Sequence, residues 1–118
     1  MKRVLIADDA VFMRLTLKQM LARNGFEVVG EAENGEIAIQ MYQDMKPDIV
    51  TMDITMPKIN GIEALKSIME YDSNATVVMV SAMGQENMVR QSIINGAKSF
   101  VVKPFTEEHV VKALNQFS

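Results

Sequence analysis

The sequence contains no cysteine and no tryptophan, and it has a single histidine and three prolines in 118 residues. Without cysteine, the chain can form neither a disulfide nor a thiolate metal site. The N-terminus also carries no recognisable export signal. These two absences suit the cytoplasm, and we expect the protein to work there.

Long apolar runs are missing too. No segment approaches the roughly 18 residues that a membrane-spanning helix requires, so we expect neither a signal peptide nor a membrane anchor. A net charge of −3 gives no reason to expect nucleic acid or an anionic membrane as a partner. The length is that of one domain, so we predict a single domain over 1–118, ending near Phe117 and Ser118.

Short β-rich apolar runs alternate along the chain with longer segments of helical period. Nearly continuous Val, Ile, Leu and Met is typical of strands buried on both faces of a parallel sheet. The predicted strands are 4–7, 28–30, 49–52, 77–80 and 100–102, and the predicted helices lie near 11–23, 35–45, 61–70, 85–95 and 106–116. Five β–α units predict an α/β fold, a doubly wound three-layer sandwich with right-handed crossovers.

Capping signals agree with these boundaries. Gly25 and Gly96 each follow an asparagine and fit helix C-termini, where glycine adopts the left-handed conformation. Asn60 with Glu63 three residues later fits a capping box, and Thr106 fits an N-cap.

Polar residues gather where the predicted strands end. In an open α/β sheet, ligands bind outside the carboxyl ends of the strands. The residues at the ends of strands one, three, four and five are Asp8 and Asp9, Asp53, Ser81, and Lys103 with Pro104. If strands one and three are neighbours, three carboxylates converge, and such a cluster requires a cation.

Mg²⁺ fits this cluster best, with Mn²⁺ as a substitute, because both are hard ions that prefer oxygen ligands. The absence of cysteine, and of histidine near the strand ends, argues against zinc or copper. With such an ion, Asp53 can act as the nucleophile that forms an aspartyl phosphate. Lys103 offers a positive charge to a phosphoryl oxygen, and the Ser81 hydroxyl can donate to another.

Each of these residues also has an ordinary explanation when it is considered alone. Asp9 fits a helix N-cap, Asp53 a solvated strand end, and Lys103 a surface lysine before a turn. Their joint occurrence at four strand ends favours a site over four coincidences.

The same residues resemble the receiver domain of two-component response regulators, from Arg3 to Phe117. The motifs that carry the resemblance are Leu5–Asp9, Met52–Pro57 with Asn60–Gly61, Val80–Ala82, Gly96–Ala97 and Val102–Phe105. The resemblance implies a five-stranded parallel sheet in the order 2-1-3-4-5, the flavodoxin-like or CheY-like arrangement.

The resemblance also implies roles for the residues around the predicted metal site. Asp53 would be the phosphorylated residue, and Asp8 and Asp9 the acidic pair that serves Mg²⁺ together with Asp53. Thr55 would offer its backbone carbonyl to the metal. Lys103 would contact the phosphoryl group.

A further set of implied roles concerns switching. Ser81 would be the switch hydroxyl, Phe100 the aromatic switch residue, and the Lys103–Pro104 bond would be cis. Ser81 replaces the more usual threonine and lacks the branch that stiffens its rotamer. Phe100 stands where many chemotaxis members have tyrosine, so it cannot donate a phenolic hydrogen bond.

The implied function is a phosphorylation-activated switch that takes its phosphoryl group from a sensor histidine kinase. Transfer to Asp53 and later autodephosphorylation would be self-catalysed, so the protein would not be a conventional enzyme. A narrower similarity, to stand-alone chemotaxis regulators of the CheY type, implies a chemotaxis kinase, the flagellar motor switch and a phosphatase as partners of a monomer. The predicted partner face comprises Met88, Val89, Phe100, Val102 and Lys112.

Other functions remain open at this point. Within the same family, the chain would also suit a phosphorelay intermediate, or the isolated receiver of a longer regulator. An aspartate-nucleophile phosphohydrolase commonly has a second aspartate where this chain has Thr55, and it needs a cap domain. A flavin carrier of the same fold would need a phosphate loop, which Asp8, Asp9 and Ala10 do not provide.

The remaining aromatic residues and the methionines suggest packing. We assign Phe12, Phe26 and Tyr42 to packing and His109 to the surface. Most of the 11 methionines are expected to fill gaps in the core.

Overall fold

The computed structural model describes residues 1–117, so Ser118, the last residue of the predicted domain, lies outside the described part. The strands are β1 (Lys2–Ala7), β2 (Phe26–Ala32), β3 (Ile49–Asp53), β4 (Val77–Ala82) and β5 (Ser99–Lys103). The helices are α1 (Val11–Arg23), α2 (Gly35–Met45), α3 (Gly61–Tyr71), α4 (Glu86–Ile94) and α5 (Glu107–Asn115). All ten predicted elements are confirmed, and the largest difference is that β2 runs two residues further at each end than predicted.

The five strands form one parallel sheet in the order β2-β1-β3-β4-β5. This order confirms the doubly wound arrangement. In the register of the two central neighbours, Ala7 of β1 lies opposite Met52 of β3. The next residues, Asp8 and Asp53, therefore leave the sheet side by side.

Two apolar cores lie on opposite faces of the sheet. One contains Met52 and Met79 from the strands with Leu65 from α3. The other contains Ile6 and Val78 with Leu17, Leu21 and Leu114 from α1 and α5. These two layers of helices complete the three-layer sandwich.

Burial differs between the central and edge strands. The four residues of β1 from Val4 to Ala7, and all of β3, are buried, as the continuous apolar runs predict. In the edge strand β5, however, Phe100 and Val102 are exposed and only Val101 is buried. An edge strand has one neighbouring strand and is incompletely covered by helices. A short apolar run in the sequence does not show whether its strand lies at an edge.

The assignment of Phe12 to packing is wrong, because its side chain is 77% exposed. The α1 residues that face the sheet are Leu17 and Leu21, and successive helix residues turn by about 100°, which directs Phe12 away from that stripe. Phe26 and Tyr42 are buried as expected. Most of the methionines also contribute to packing, since only Met1, Met83 and Met88 are exposed among the 11.

The predicted capping residues lie at the helix ends. Asn60 and Glu63 form the predicted capping box at α3, and the Thr106 hydroxyl oxygen accepts a hydrogen bond from the backbone of His109, itself an exposed residue. Gly25 and Gly96 have positive φ, of 84° and 108°.

Among residues 1–117, no helix is long and apolar enough to cross a membrane.

Candidate phosphoacceptor and metal site

Three carboxylates meet at the carboxyl edge of the sheet. Asp53 is the last residue of β3, and Asp8 and Asp9 follow β1. One carboxylate oxygen from each residue lies within 4.8 Å of the other two. Asp8 and Asp53 are buried, at 1% and 7% exposure, whereas Asp9 is exposed. The sequence pattern predicted this convergence.

Asp9 is not the N-cap of α1, so the ordinary explanation for this residue is wrong. The N-cap is Ala10, without any side-chain hydrogen bond, and the backbone N–H of Ala10 donates to Asp8 Oδ1 at 2.9 Å. The Asp9 carboxylate is therefore left to face the site and solvent.

Lys103, the last residue of β5, reaches across to these carboxylates. Its Nζ lies 3.1 Å from Asp8 Oδ2 and 3.5 Å from Asp53 Oδ2. Burial alone would lower the pKa of this ammonium, but the two carboxylates together raise the pKa of Lys103 above its usual value. The lysine remains charged and partly compensates the acidic pair. The peptide bond between Lys103 and Pro104 is cis.

The Asp53 carboxylate is electrostatically unfavourable without a metal ion. Burial raises the pKa of Asp53 to about 6, and the charge of Asp8 adds to this effect, whereas Lys103 opposes it. A divalent cation beside Asp8, Asp9 and Asp53 would relieve this repulsion. An all-oxygen set of donors of this kind matches Mg²⁺ and Mn²⁺.

The switch residues Ser81 and Phe100 lie on the neighbouring strands β4 and β5. Ser81 is buried at 1% exposure, and Phe100 is 46% exposed. A cavity of about 400 Å³ opens between them, and Val89 and Val102 also line it. Ser81 and the half-exposed Phe100 therefore border the same open space.

The five residues of the predicted partner face differ in their exposure and surroundings. Met88, Phe100 and Val102 are exposed, at 43%, 46% and 39%, whereas Val89 is half-buried and packs against the core. Lys112 is exposed on α5 beside a different depression, lined by Asn24 and Glu108 among others. The structure thus places Val89, Phe100 and Val102 around one cavity, whereas Met88 and Lys112 do not line it.

Gly61 allows α3 to approach the phosphoacceptor strand. Its backbone N–H donates to the carbonyl of Ile54 at 2.7 Å. A β-carbon at this position would overlap the carbonyl oxygen of Asp53. The pair Asn60–Gly61 was part of the sequence motif, but its spacing alone did not show that Gly61 touches the Asp53 backbone.

Arg14 supports the site and was given no role by the sequence. Its Nη1 donates to the backbone carbonyl of Asp8 at 2.6 Å, and its Nε pairs with Glu31 Oε1 at 3.2 Å. The side chain is 12% exposed. A charged residue in α1 was the available signal, but it did not identify the partners, Asp8 after β1 and Glu31 on β2.

Gln85 is a further residue that contacts the site and was not predicted to do so. Its side chain accepts a hydrogen bond from the backbone of Ala82 and donates one to the Thr55 hydroxyl. Thr55 itself is exposed in the loop after Asp53. The two loops that border the acidic cluster are therefore joined by one side chain.

Comparison with known proteins agrees with this geometry. Residues 4–115 match the response regulator receiver domain. The chain is 57% identical to chemotaxis protein CheY of Thermotoga maritima, over 99% of this chain and 98% of that protein. It is 54% identical to chemotaxis protein CheY of Bacillus subtilis, over 97% of this chain and 95% of that protein.

Solved structures show the same fold. A chain of the CheX-CheY-BeF3-Mg+2 complex from Borrelia burgdorferi superimposes with a TM-score of 0.94 at 43% identity, covering 99% of this chain and 90% of that one. The response regulator domain of Thermotoga maritima CheB gives a TM-score of 0.89 at 36% identity, covering 98% and 95%. The chain therefore belongs to the response regulator receiver family, and it is a phosphorylation-activated signalling switch of the chemotaxis type.

Proposed function

We propose that residues 1–118 form one receiver domain that accepts a phosphoryl group on Asp53 from a sensor histidine kinase. The observation that carries this proposal is the meeting of Asp8, Asp9 and Asp53 with the Lys103 ammonium at one edge of the sheet. A nucleophilic carboxylate, a place for a divalent cation and a fixed positive charge are the parts that phosphoryl transfer to an aspartate needs.

The carboxylates of Asp8, Asp9 and Asp53 and the backbone carbonyl of Thr55 would hold Mg²⁺, or Mn²⁺ in its place. Such an ion, when bound, would neutralise negative charge on the carboxylates and on the phosphoryl oxygens. Lys103 and Ser81 would contact two of those oxygens by charge-assisted hydrogen bonds.

The transfer conserves atoms and charge without a further catalyst. An Asp53 oxygen forms a bond to phosphorus while the bond from phosphorus to the imidazole nitrogen of the donor breaks. That nitrogen keeps the electron pair and takes a proton from water, and the hydroxide that remains is neutralised by the solvent buffer. In autodephosphorylation, a water oxygen attacks phosphorus, the bond to Asp53 breaks, and inorganic phosphate leaves the restored carboxylate.

The cavity between Ser81 and Phe100 supports the way in which the signal would travel. When Ser81 moves towards a phosphoryl group on Asp53, the space beside it becomes available to the Phe100 ring. The cavity of about 400 Å³ is large enough for that ring. The face formed by α4 and β5 would then change shape for a partner.

Chemotaxis partners are the ones that the relatives favour. Six of the similar proteins are named chemotaxis protein CheY, and the Borrelia structure holds CheY with CheX, BeF3 and Mg+2. We extend the proposal to a chemotaxis kinase as donor, the flagellar motor switch as target, and a phosphatase that resets Asp53. A cytoplasmic location and a monomeric state are part of the same proposal.

Intact mass spectrometry after incubation with acetyl phosphate tests the proposed chemistry. We expect one added phosphoryl group when Mg²⁺ is present, and none when the ion is chelated. Asp53→Asn should abolish the adduct, whereas Asp44→Asn, a change at an exposed carboxylate on α2, should leave it unchanged. An adduct on Asp53→Asn would contradict the proposal.

A further inference from the structure

The Gln85 side chain connects two segments that border the site. Its Oε1 accepts a hydrogen bond from the backbone N–H of Ala82 at 2.6 Å, and its Nε2 donates to Thr55 Oγ1 at 3.0 Å. Ala82 follows Ser81, and Thr55 lies two residues after Asp53. One side chain thus joins the residues that follow the switch hydroxyl and the phosphoacceptor.

The loop that Gln85 fastens, residues 83–85 between β4 and α4, is otherwise lightly held. Met83 is 76% exposed. Gly84 has a φ of 89°, and a β-carbon built there would meet nothing within 4 Å. The Gln85 carbonyl accepts from Val89 at 3.0 Å, which anchors Gln85 itself to the first turn of α4. The side-chain bridge therefore links this exposed loop to Thr55 in the loop after β3.

The bridge also engages the backbone N–H of Ala82, a hydrogen-bond donor at the edge of the site. Val80 of β4 lies opposite Asp53 of β3, so the Ala82 N–H stands at the carboxyl end of the strand beside the phosphoacceptor. A phosphoryl group on Asp53 would bring new acceptor oxygens to this edge. While Gln85 Oε1 accepts from Ala82, that N–H cannot turn to them.

We propose that Gln85 is a positioning residue: its side chain latches the loop of residues 83–85 to Thr55 in the unphosphorylated protein, and the latch opens when Asp53 is phosphorylated. This inference rests on the proposed function, phosphoryl transfer to Asp53. It adds an element that stabilises the unphosphorylated arrangement and so sets how readily the switch turns on. Since the latch is broken in the active form, removing it must favour that form.

The test compares Gln85→Met with Gln91→Met. Methionine keeps the length of the side chain and a high helix propensity but cannot make the bridge. Gln91 is an exposed glutamine on α4, the helix that Gln85 immediately precedes, and serves as the matched control. In unphosphorylated Gln85→Met, NMR-detected hydrogen exchange of the Ala82 amide should be about fivefold faster or more, which corresponds to the loss of one typical hydrogen bond.

The same variant should bind beryllofluoride, an acyl-phosphate mimic, about fivefold more tightly in the presence of Mg²⁺. Thr55→Val, which keeps the backbone carbonyl and removes only the hydroxyl, should act in the same direction. Because both changes break the same bridge, the double variant should gain no more than Gln85→Met alone. Gln91→Met should match the wild type in both measurements.

Failure of the latch and failure of the proposed function give different results. If the wild type binds beryllofluoride and is phosphorylated, but Gln85→Met shows unchanged Ala82 exchange or equal or weaker binding, the latch is refuted and the phosphoryl chemistry stands. Fully additive effects of Gln85→Met and Thr55→Val would also refute it. If the wild type neither is phosphorylated nor binds beryllofluoride, the proposed function fails and the opening of the latch fails with it.

Discussion

At the scale of single residues, the fold alters the acid–base chemistry of Asp53. Its carboxylate is buried next to Asp8, and the nearby Lys103 only partly offsets the repulsion. The pKa of Asp53 is therefore raised to about 6 when no metal ion is bound. A group in this condition is a strong ligand for a divalent cation and an available nucleophile at neutral pH.

This raised pKa predicts how stability depends on pH without a divalent cation. The folded state holds the Asp53 proton more tightly than the unfolded state, so the stabilisation is complete below pH 3.8 and is lost as pH rises through about 6. Between pH 5 and 7, the free energy of unfolding should fall by about 1 kcal/mol through this group. Urea denaturation in the presence of a chelator measures the change.

Asp53→Asn should remove most of this slope of the free energy of unfolding against pH. It should also stabilise the metal-free protein at pH 7 by roughly 2 kcal/mol, because the buried charge is gone. Asp44→Asn, at an exposed position, should keep the wild-type slope. A slope that survives in Asp53→Asn would mean that another group titrates in this range.

At the scale of secondary-structure elements, the approach of α3 to β3 determines where Asp53 lies. The capping box of Asn60 and Glu63 fixes the start of α3. Gly61 then lets the first turn lie directly against the backbone of Asp53 and Ile54. The helix start and the phosphoacceptor are therefore one rigid unit.

Gly61→Ala should destabilise the protein by more than 2 kcal/mol, since its β-carbon meets backbone that cannot move without shifting Asp53. It should also weaken Mg²⁺ binding. Gly25→Ala is the matched control: φ is 84° there, but a β-carbon has open space, so about 1 kcal/mol is expected from backbone strain alone. Denaturant midpoints and Mg²⁺ titration measure both variants. Equal losses in the two would contradict a contact role for Gly61.

The helices and strands were more predictable from the sequence than the burial and contacts of their residues. The capping signals at Asn60 and Thr106 marked helix starts correctly because they are local interactions. The exposure of Phe12 and Phe100 depends on which stripe of α1 faces the sheet and on β5 being an edge strand, and both are set by tertiary packing. The bridge made by Gln85 joins residues 30 positions apart, and local pattern holds no information about it.

At the scale of the whole molecule, the strand order is what makes a site from separate motifs. Placing β1 beside β3, and β5 next to β4, brings Asp8, Asp53 and Lys103 together from the two ends and the middle of the chain. The sequence predicted these residues because each stands at a strand end. It did not predict their support, Arg14 and Gly61, whose contacts depend on the final packing.

The exposed Phe100 ring beside its cavity predicts a change that can be followed across the molecule. The chain contains no tryptophan, so Phe100→Trp introduces a single tryptophan whose emission can be excited selectively over that of the two tyrosines. Phosphorylation should shift its emission to shorter wavelength as the ring enters the cavity bordered by Ser81. With Ser81→Ala added, the protein should still be phosphorylated but the shift should be much smaller. A shift to longer wavelength in the first variant would contradict the inward movement.

The central claim is that the phosphoryl group resides on Asp53, and mapping the modified residue tests it most directly. Borohydride reduces an aspartyl phosphate to homoserine, which peptide mass spectrometry locates. After treatment with acetyl phosphate and Mg²⁺, we predict homoserine at position 53 and none when the ion is chelated. Homoserine at Asp8 or Asp9 instead, or its absence from position 53 in a protein that carries the phosphoryl mass, would contradict the account.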